Sequence, residues 1–426
     1  MQVVADLHIH GRFSRATSQK LTLMELDKFA KIKGLNIIGT GDFTHPKWLK
    51  EITENLLFDR ETGTFTLPHG QVKFMMTTEV CTVFDFAQLI KKVHHVILTP
   101  DLELATQINE RLSKYGDLSI DGRPTLNVDA ATLVEEVISV SHDNLIFPSH
   151  IWTPWFGLFG AFSGFDRIED CYEDMTKHIH ALETGLSSDP AMNWRLSALD
   201  RFTLVSNSDS HSFWPWRIGR EANVFEVKKV GYYEIVNAIR SKDVNQFKFT
   251  IETDPAYGKY HWTGHRSCHV SLSSADAKKL NGFCPVCRRK LTKGVEQRID
   301  ELADRPSNYT PEKAIGFVRL LPLSEIIAAV LNSSSPSTKR AWELYNKLIS
   351  KFGNEYAVLL NADEDSLKSV VDERLAKAII QVRQGTIKIV PGYDGIYGQL
   401  LLGNHSKSED KIVKQSNISD FFQGSP

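Results

Sequence analysis

Asp6, His8 and His10 occupy alternate positions directly after the apolar start Val3-Val4, and side chains two apart on a strand share one face. A carboxylate and two imidazoles pointing together are ligands for a cation such as zinc, manganese or iron. The pattern recurs along the chain. Apolar runs beginning at Leu35, Val72, Asn144 and Phe202 lead to Asp42 and His45, to Glu79, to His150, and to Asp209 and His211. Glu183 ends another apolar stretch and reads equally as a ligand, as a group orienting a histidine, or as a cap for the segment that follows. His94 and His95 precede Val96-Ile97-Leu98, and as strand neighbours they face opposite ways, so at most one of them enters a site. A lone buried histidine is ordinarily a core residue, but repetition after five apolar runs points to a centre for two or three ions. The expected ligands are His8, His10, Glu79, His150, Asp209 and His211, with Asp42, His45, His94 and Glu183 completing or orienting them. Glu79, Asp209 and His211 are the expected catalytic members.

Residues so far apart need a scaffold that gathers strand ends on one face. Helix-like segments such as Thr22 to Ala30 lie between the apolar runs, and this alternation predicts an α/β fold of the β/α barrel type, whose loops collect at one end. The chain has 426 residues, 42% hydrophobic and 24% charged, a composition for two or three domains with sizeable cores. No apolar run approaches the ~20 residues needed to cross a bilayer, so no membrane partner is expected and the reading is cytoplasmic. The net charge of −2 leaves any nucleic-acid grip to local basic patches or to metals.

Three of the five cysteines fall in a second cluster, His265-Arg266-Ser267-Cys268 followed after fifteen residues by Cys284-Pro285-Val286-Cys287. Paired two-residue gaps are the spacing of a structural zinc ribbon, with the intervening stretch expected to fold back as a hairpin and four ligands leaving no open position. His265 fits the gap better than the alternatives His261 and His269. Zn2+ is therefore expected here, with zinc or Mg2+ or Mn2+ at the histidine-carboxylate centre.

Beyond Arg305 the strand signals fade and helical periodicity takes over, with Thr310-Pro311-Glu312 resembling a helix start. The segment from Ser366 to Gly385 reads as two short helices, either a DNA-backbone binder or a helical packing unit. The tail from Asn404 is polar and rich in Lys and Ser, a composition that does not fold alone. Within it Gln415, Ile418, Phe421 and Phe422 match the peptide that docks on the PCNA sliding clamp, where one turn puts Ile418 and the phenylalanines on one side.

The motifs Asp6-Leu7-His8-Ile9-His10, Gly41-Asp42, Glu79, His150 and Asn207-Ser208-Asp209-Ser210-His211 resemble the polymerase-and-histidinol-phosphatase (PHP) family over about the first 240 residues. Two departures stand out: Ser14-Arg15 where many members carry an aspartate, and Asp42-Phe43 in place of Asp-His, with His45 displaced. The resemblance implies a distorted β/α barrel with a multi-metal phosphoesterase centre. The expected organisation is a phosphoesterase domain over residues 1–245, a zinc ribbon over 250–300, a helical DNA-binding domain over 305–400 and a clamp-binding tail over 401–426. That order resembles the archaeal DNA repair endonucleases of this family, which implies a monomeric, nucleoid-associated enzyme nicking DNA 5′ of uracil, hypoxanthine, xanthine or an abasic site. A flipped base would then be read beside Ser149, Trp152, Trp155 and Phe156, although the same loop could equally be a lid. The rival readings are a small-molecule phosphatase and a clamp-tethered DNA adaptor without activity.

Overall fold

The computed structural model describes residues 1–401; Gln415, Ile418, Phe421 and Phe422 lie outside them. The apolar start forms β1 (Gln2–Asp6), buried after its first residue, as a strand covered on both faces must be. It runs parallel to β2 (Ile37–Gly39). An edge hairpin, β3 (Leu57–Asp59) and β4 (Thr64–Thr66), leads into the long β5 (Lys73–Phe86), which is parallel to β2 and turns back as β6 (Leu89–Thr99). Strand β7 (Thr125–Leu126) pairs with β5, and β8 (Leu145–Pro148) with β6. A separate parallel pair follows, β9 (Ala181–Glu183) and β10 (Thr203–Val205). Strand β11 (Ala222–Glu226) is antiparallel to β1 and to β12 (Phe247–Thr253). After the small pair β13 (Thr263–His265) and β14 (Val270–Leu272), β15 (Gly316–Leu320) joins β12 in parallel, and β16 (Lys388–Val390) with β17 (Gln399–Leu401) closes the described chain. The fold is α/β around a mixed eleven-stranded sheet of order β15-β12-β11-β1-β2-β5-β4-β3, with β6 and β7 branching from β5 and β8 pairing with β6.

Local sequence explains the crossovers. Thr22 caps the helix Leu23–Lys33 by accepting the Glu25 amide, and Gly34, at φ 102°, ends it by turning its own amide back to Ala30 and Lys31, the left-handed stop that glycine adopts without strain. Leu23, Leu26, Phe29 and Ala30, spaced at the helical period, form its buried stripe. One sheet face packs on Ile235, Val236 and Ile239 of the helix Tyr232–Ser241. The larger core runs without interruption from Phe29, Trp48 and Phe74 to Ile326, Tyr345 and Leu348.

That continuity corrects the expected all-helical stretch after Arg305. Residues Thr310 to Glu312 form no helix; the chain turns there and re-enters the sheet as β15. The following helices, Leu323–Val330 and Lys339–Phe352, are linked to the end of the first helix through Glu355. Lys33 Nζ lies 2.7 Å from Glu355 Oε1 and donates to the Pro215 carbonyl at 2.8 Å. Glu355 also accepts the Leu323 amide at 2.9 Å and the Tyr345 hydroxyl at 2.8 Å. Trp214 and Trp216 stack at 5.0 Å and meet Trp342 edge-on. The two short helices expected near Val370 are Glu364–Lys368 and Glu373–Arg383, capped by Asp363 and Asp372.

Candidate metal centre

Beyond β1 the chain stays extended, and Ile9 bridges to Ser210, which lays the first motif beside the last. Asp6 does not join the centre. It is fully buried and accepts the amides of Ser208 at 3.0 Å and Gly219 at 2.8 Å, tying down the loop that carries Asp209 and His211.

His8 and His10 are each oriented from behind by a carboxylate. Glu183 stands 3.0 Å from His8 Nδ1, and also accepts the His150 amide and the Asn207 side-chain amide, both at 2.8 Å. These contacts are those of an orienting group. Asp42 plays the same part for His10, 3.0 Å from its Nδ1, while accepting the Gly11 amide at 2.6 Å and the Ser14 hydroxyl at 2.8 Å. Such carboxylate partners fix the tautomer and aim the other ring nitrogen.

That other nitrogen, Nε2 of both rings, faces Glu79 and Asp209. His10 Nε2 lies 3.3 Å from Glu79 Oε2 and 3.1 Å from Asp209 Oδ1; His8 Nε2 lies 3.6 and 3.7 Å from Glu79 Oε1 and Asp209 Oδ1. Ligand atoms of His8, His10, Glu79 and Asp209 all lie within 4.8 Å of one another, and those of Glu79, His94 and His150 form a second such group. Glu79 belongs to both. His94 Nδ1 and His150 Nε2 approach its Oε1 at 3.0 and 3.1 Å. His95, pointing the other way, is in the core against Tyr172.

The electrostatics follow from burial and crowding. Burial opposes a charged Glu79, but His94, Arg123 and His8 hold its carboxyl well below the usual range. Burial likewise opposes charge on His8, yet Glu183 and Glu79 on either side raise it well above an ordinary imidazole. His94 goes the other way, pushed down to about 4 by burial despite Glu79. Asp42, His150 and Asp209 have φ of 47°, 31° and 47°, a left-handed conformation that costs non-glycine residues about 1–3 kcal/mol each and concentrates at functional sites. The backbone is bent here to aim side chains.

Two expected residues, His45 and Trp152, are placed elsewhere, and a third, His211, stands at the mouth. His45 turns its Nε2 to the Ser119 carbonyl at 3.1 Å and stacks on Phe13 at 4.5 Å, outside both ligand groups. Its displacement from the family motif carries it off the centre. His211 lines the mouth with its ring 4.2 Å from that of His10, while its Nδ1 donates to the Asp209 carbonyl, and it too is outside the two groups. Trp152 cannot stack on a base: it is 1% exposed, its indole N–H bonded to Asn193 at 2.8 Å and its ring on Phe159. Ser149 donates to Glu79 at 2.7 Å. Phe156 packs on His94 at 4.7 Å, and Trp155, 42% exposed, stacks on the exposed Phe162.

Sequence reasoning missed Arg123, whose Nη1 lies 3.1 Å from Glu79 Oε2, and Asn207, which accepts the Leu7 amide while donating to Glu183. Arg123 sits in a loop with no periodic signal; Asn207 stands in the motif itself, beside the residues that drew attention.

The second cluster assembles as well. Ligand atoms of His265, Cys268, Cys284 and Cys287 lie within 4.8 Å of one another, with His265 Nδ1 3.4 Å from Cys287 Sγ. His261 and His269 are not in it. The expected hairpin between Cys268 and Cys284 is corrected: that stretch forms β14 and the helix Ser274–Lys279, and the hairpin pairs β13 with β14 across the first knuckle.

A family model described as the MJ0043 C-terminal domain matches residues 322–386. The uncharacterized protein MJ0043 of Methanocaldococcus jannaschii is 37% identical over 254 residues, a match spanning 58% of this chain and 31% of that longer protein. Fold and site define the class: an α/β protein in which a buried carboxylate is shared between two groups of metal-ligating side chains. The crystal structure of the lesion-specific endonuclease PfuEndoQ from Pyrococcus furiosus matches with a TM-score of 0.84 at 35% identity over 100% of both chains. Endonuclease Q in complex with a 27-mer duplex substrate bearing an abasic lesion at the active site also matches with a TM-score of 0.84, at 36% identity over 96% of this chain and 100% of that one. The chain belongs to the endonuclease Q family.

Proposed function

We propose that this protein is a metal-dependent DNA repair endonuclease that hydrolyses the phosphodiester bond 5′ of deaminated bases and abasic sites. The observation that carries the reading is Glu79, a fully buried carboxylate common to two ligand groups. The residues fit divalent cations on a second count: His8 Nε2 is buried, faces two carboxylates and has no hydrogen-bond partner among the described residues. His8, His10, Glu79 and Asp209 would hold one cation, and Glu79, His94 and His150 another. Cations bound there would supply a hydroxide nucleophile at neutral pH and offset the negative charge that develops on the phosphate and leaving oxygens. Asp42 and Glu183 keep the imidazoles aimed; Asp209 and His211, about a quarter exposed, mark the side from which a phosphate reaches them.

Lesion choice follows from base chemistry. Deamination replaces an amino donor by a carbonyl acceptor and adds a ring proton, so uracil and hypoxanthine share an acceptor beside a donor that cytosine and adenine reverse. A flipped base read this way needs a stacking surface, and Trp155, Phe156 and Phe162 supply one next to His94. His265, Cys268, Cys284 and Cys287 form the closed ligand set of a structural zinc ion. The first 240 residues read as the distorted β/α barrel, and the tail peptide as a tether to a sliding clamp.

Labelled duplexes with a single uracil, hypoxanthine or abasic position, incubated with each divalent metal and run on a sequencing gel, test the proposal. A nick 5′ of the lesion supports it; base release without a nick, or intact duplex with metal-loaded protein, refutes it. Truncation after residue 401 should leave that nicking unchanged and abolish its stimulation by the clamp.

A further inference from the structure

The loop from Ser119 to Pro124, between the helix Leu102–Leu112 and β7, is tied to the segments that flank the centre at several points. Ser119 O contacts His45 Nε2 at 3.1 Å, the Gly122 amide donates to Phe13 O at 3.2 Å, Gly122 O accepts the Thr44 hydroxyl at 3.3 Å, and Pro124 O accepts the Cys81 amide at 2.9 Å. Asp121 receives the Arg123 amide at 3.1 Å and pairs with Arg15 Nε at 3.1 Å. Gly122 passes so close to the first motif that a Cβ there would lie 2.2 Å from Asp42 Oδ2 and 2.3 Å from Ser14 Oγ. The loop therefore has one position, and it presents Arg123 to the mouth.

A guanidinium has five N–H donors in a planar fork. Among the described residues the one hydrogen bond of the Arg123 guanidinium goes to Glu79, and its side chain is 27% exposed, matching Asp209 at 27% and His211 at 28% on the same side. Glu79 does not depend on it for satisfaction, since Ser149, His10, His94 and His150 surround that carboxylate. A phosphate approaching Asp209 and Glu79 meets negative charge, which a fixed fork-shaped cation offsets, and arginine matches phosphate oxygens two at a time.

From this geometry we infer that Arg123 clamps the phosphate cleaved at the centre, an assignment that rests on the endonuclease reading. The contact is made to the phosphate's non-bridging oxygens and positions it; it forms no bond to phosphorus and moves no proton.

The test uses metal-loaded full-length protein and duplexes with one tetrahydrofuran abasic analogue. The phosphate 5′ of the lesion is either a phosphorodithioate, anionic and slow to hydrolyse, or an uncharged methylphosphonate. Fluorescence anisotropy gives the preference of each protein for the anionic duplex. Arg123→Ala should reduce that preference about tenfold, the size of a charge-assisted contact. Arg123→Lys should retain part of it, and both variants should bind as much metal as the wild type. An unchanged preference in Arg123→Ala, or metal lost in parallel with it, overturns the assignment and leaves Arg123 as a prop for Glu79. Failure of the wild type to prefer either lesion duplex over undamaged DNA would instead refute the endonuclease reading, and the clamp with it.

Discussion

Glu355→Ala probes how the C-terminal helices are held. In the folded chain Glu355 is 0% and Lys33 1% exposed, and the carboxylate serves three donors: Lys33 Nζ, the Leu323 amide and the Tyr345 hydroxyl. Removing one member of a buried ion pair costs about 3–5 kcal/mol, because the other charge stays in a dry site. Lys33 would keep the Pro215 carbonyl, which softens its loss, but two neutral donors would also be stranded at ~1–3 kcal/mol each. We therefore expect about 4 kcal/mol, a large share of the ~5–15 kcal/mol that holds a typical domain. Glu355→Gln retains the shape and one acceptor oxygen and should cost less, about 1.5–3 kcal/mol. Urea unfolding followed by tryptophan fluorescence is the assay, since Trp214, Trp216 and Trp342 meet at this junction. In a cycle with Lys33→Met the two losses should overlap by more than ~1.5 kcal/mol, as contacting residues do. A Glu355→Ala loss below ~1 kcal/mol, or strictly additive losses, would show that this contact does not fasten the helices.

Three further outcomes can be checked independently. Burial raises the Glu252 carboxyl from an ordinary 4.5 to about 8, so its stabilising contribution is complete below pH ~4.5 and is lost as pH rises toward 8; Glu252→Gln should gain Tm relative to wild type across that interval, and parallel Tm curves would contradict it. Cys284→Ser should abolish one bound ion per chain by elemental analysis without depleting the histidine-carboxylate centre, because the two ligand sets share no residue. His45→Ala should leave metal content intact and cost its packing on Phe13 and its hydrogen bond to the Ser119 carbonyl, together about 1–3 kcal/mol by thermal unfolding, whereas His10→Ala should lower metal content.

Much of the centre was legible because its ligands follow strands. Period-two spacing put His8 and His10 on one face, Glu79 sits in the buried half of the long β5, and His150, Glu183 and Asp209 each sit in or just beyond a short buried strand. Position in a strand says that a side chain arrives at the site, but not its distance from it. Asp42 and Glu183 thus arrive one layer behind the imidazoles, and His45 misses because it caps a helix facing Ser119. Trp152 misled for a related reason: glycines around an indole suggest an open stacking loop, and only a partner 41 residues away, Asn193, shows that its N–H is satisfied inside. β15 was hidden because its partner β12 lies more than sixty residues earlier, and Pro311 carries a helix-start signal that the turn there uses instead.

The way β15 returns to the sheet has a mechanical consequence for the cysteine-histidine knuckle. The chain departs at Thr253 and comes back at Gly316 on the neighbouring strand, opposite Phe249, so the knuckle is a bracket bolted at two points, roughly 13 Å apart along the strands for four steps at ~3.3 Å each. A lobe fixed twice to one rigid rail can rock but cannot swing, unlike a tail attached at a single end.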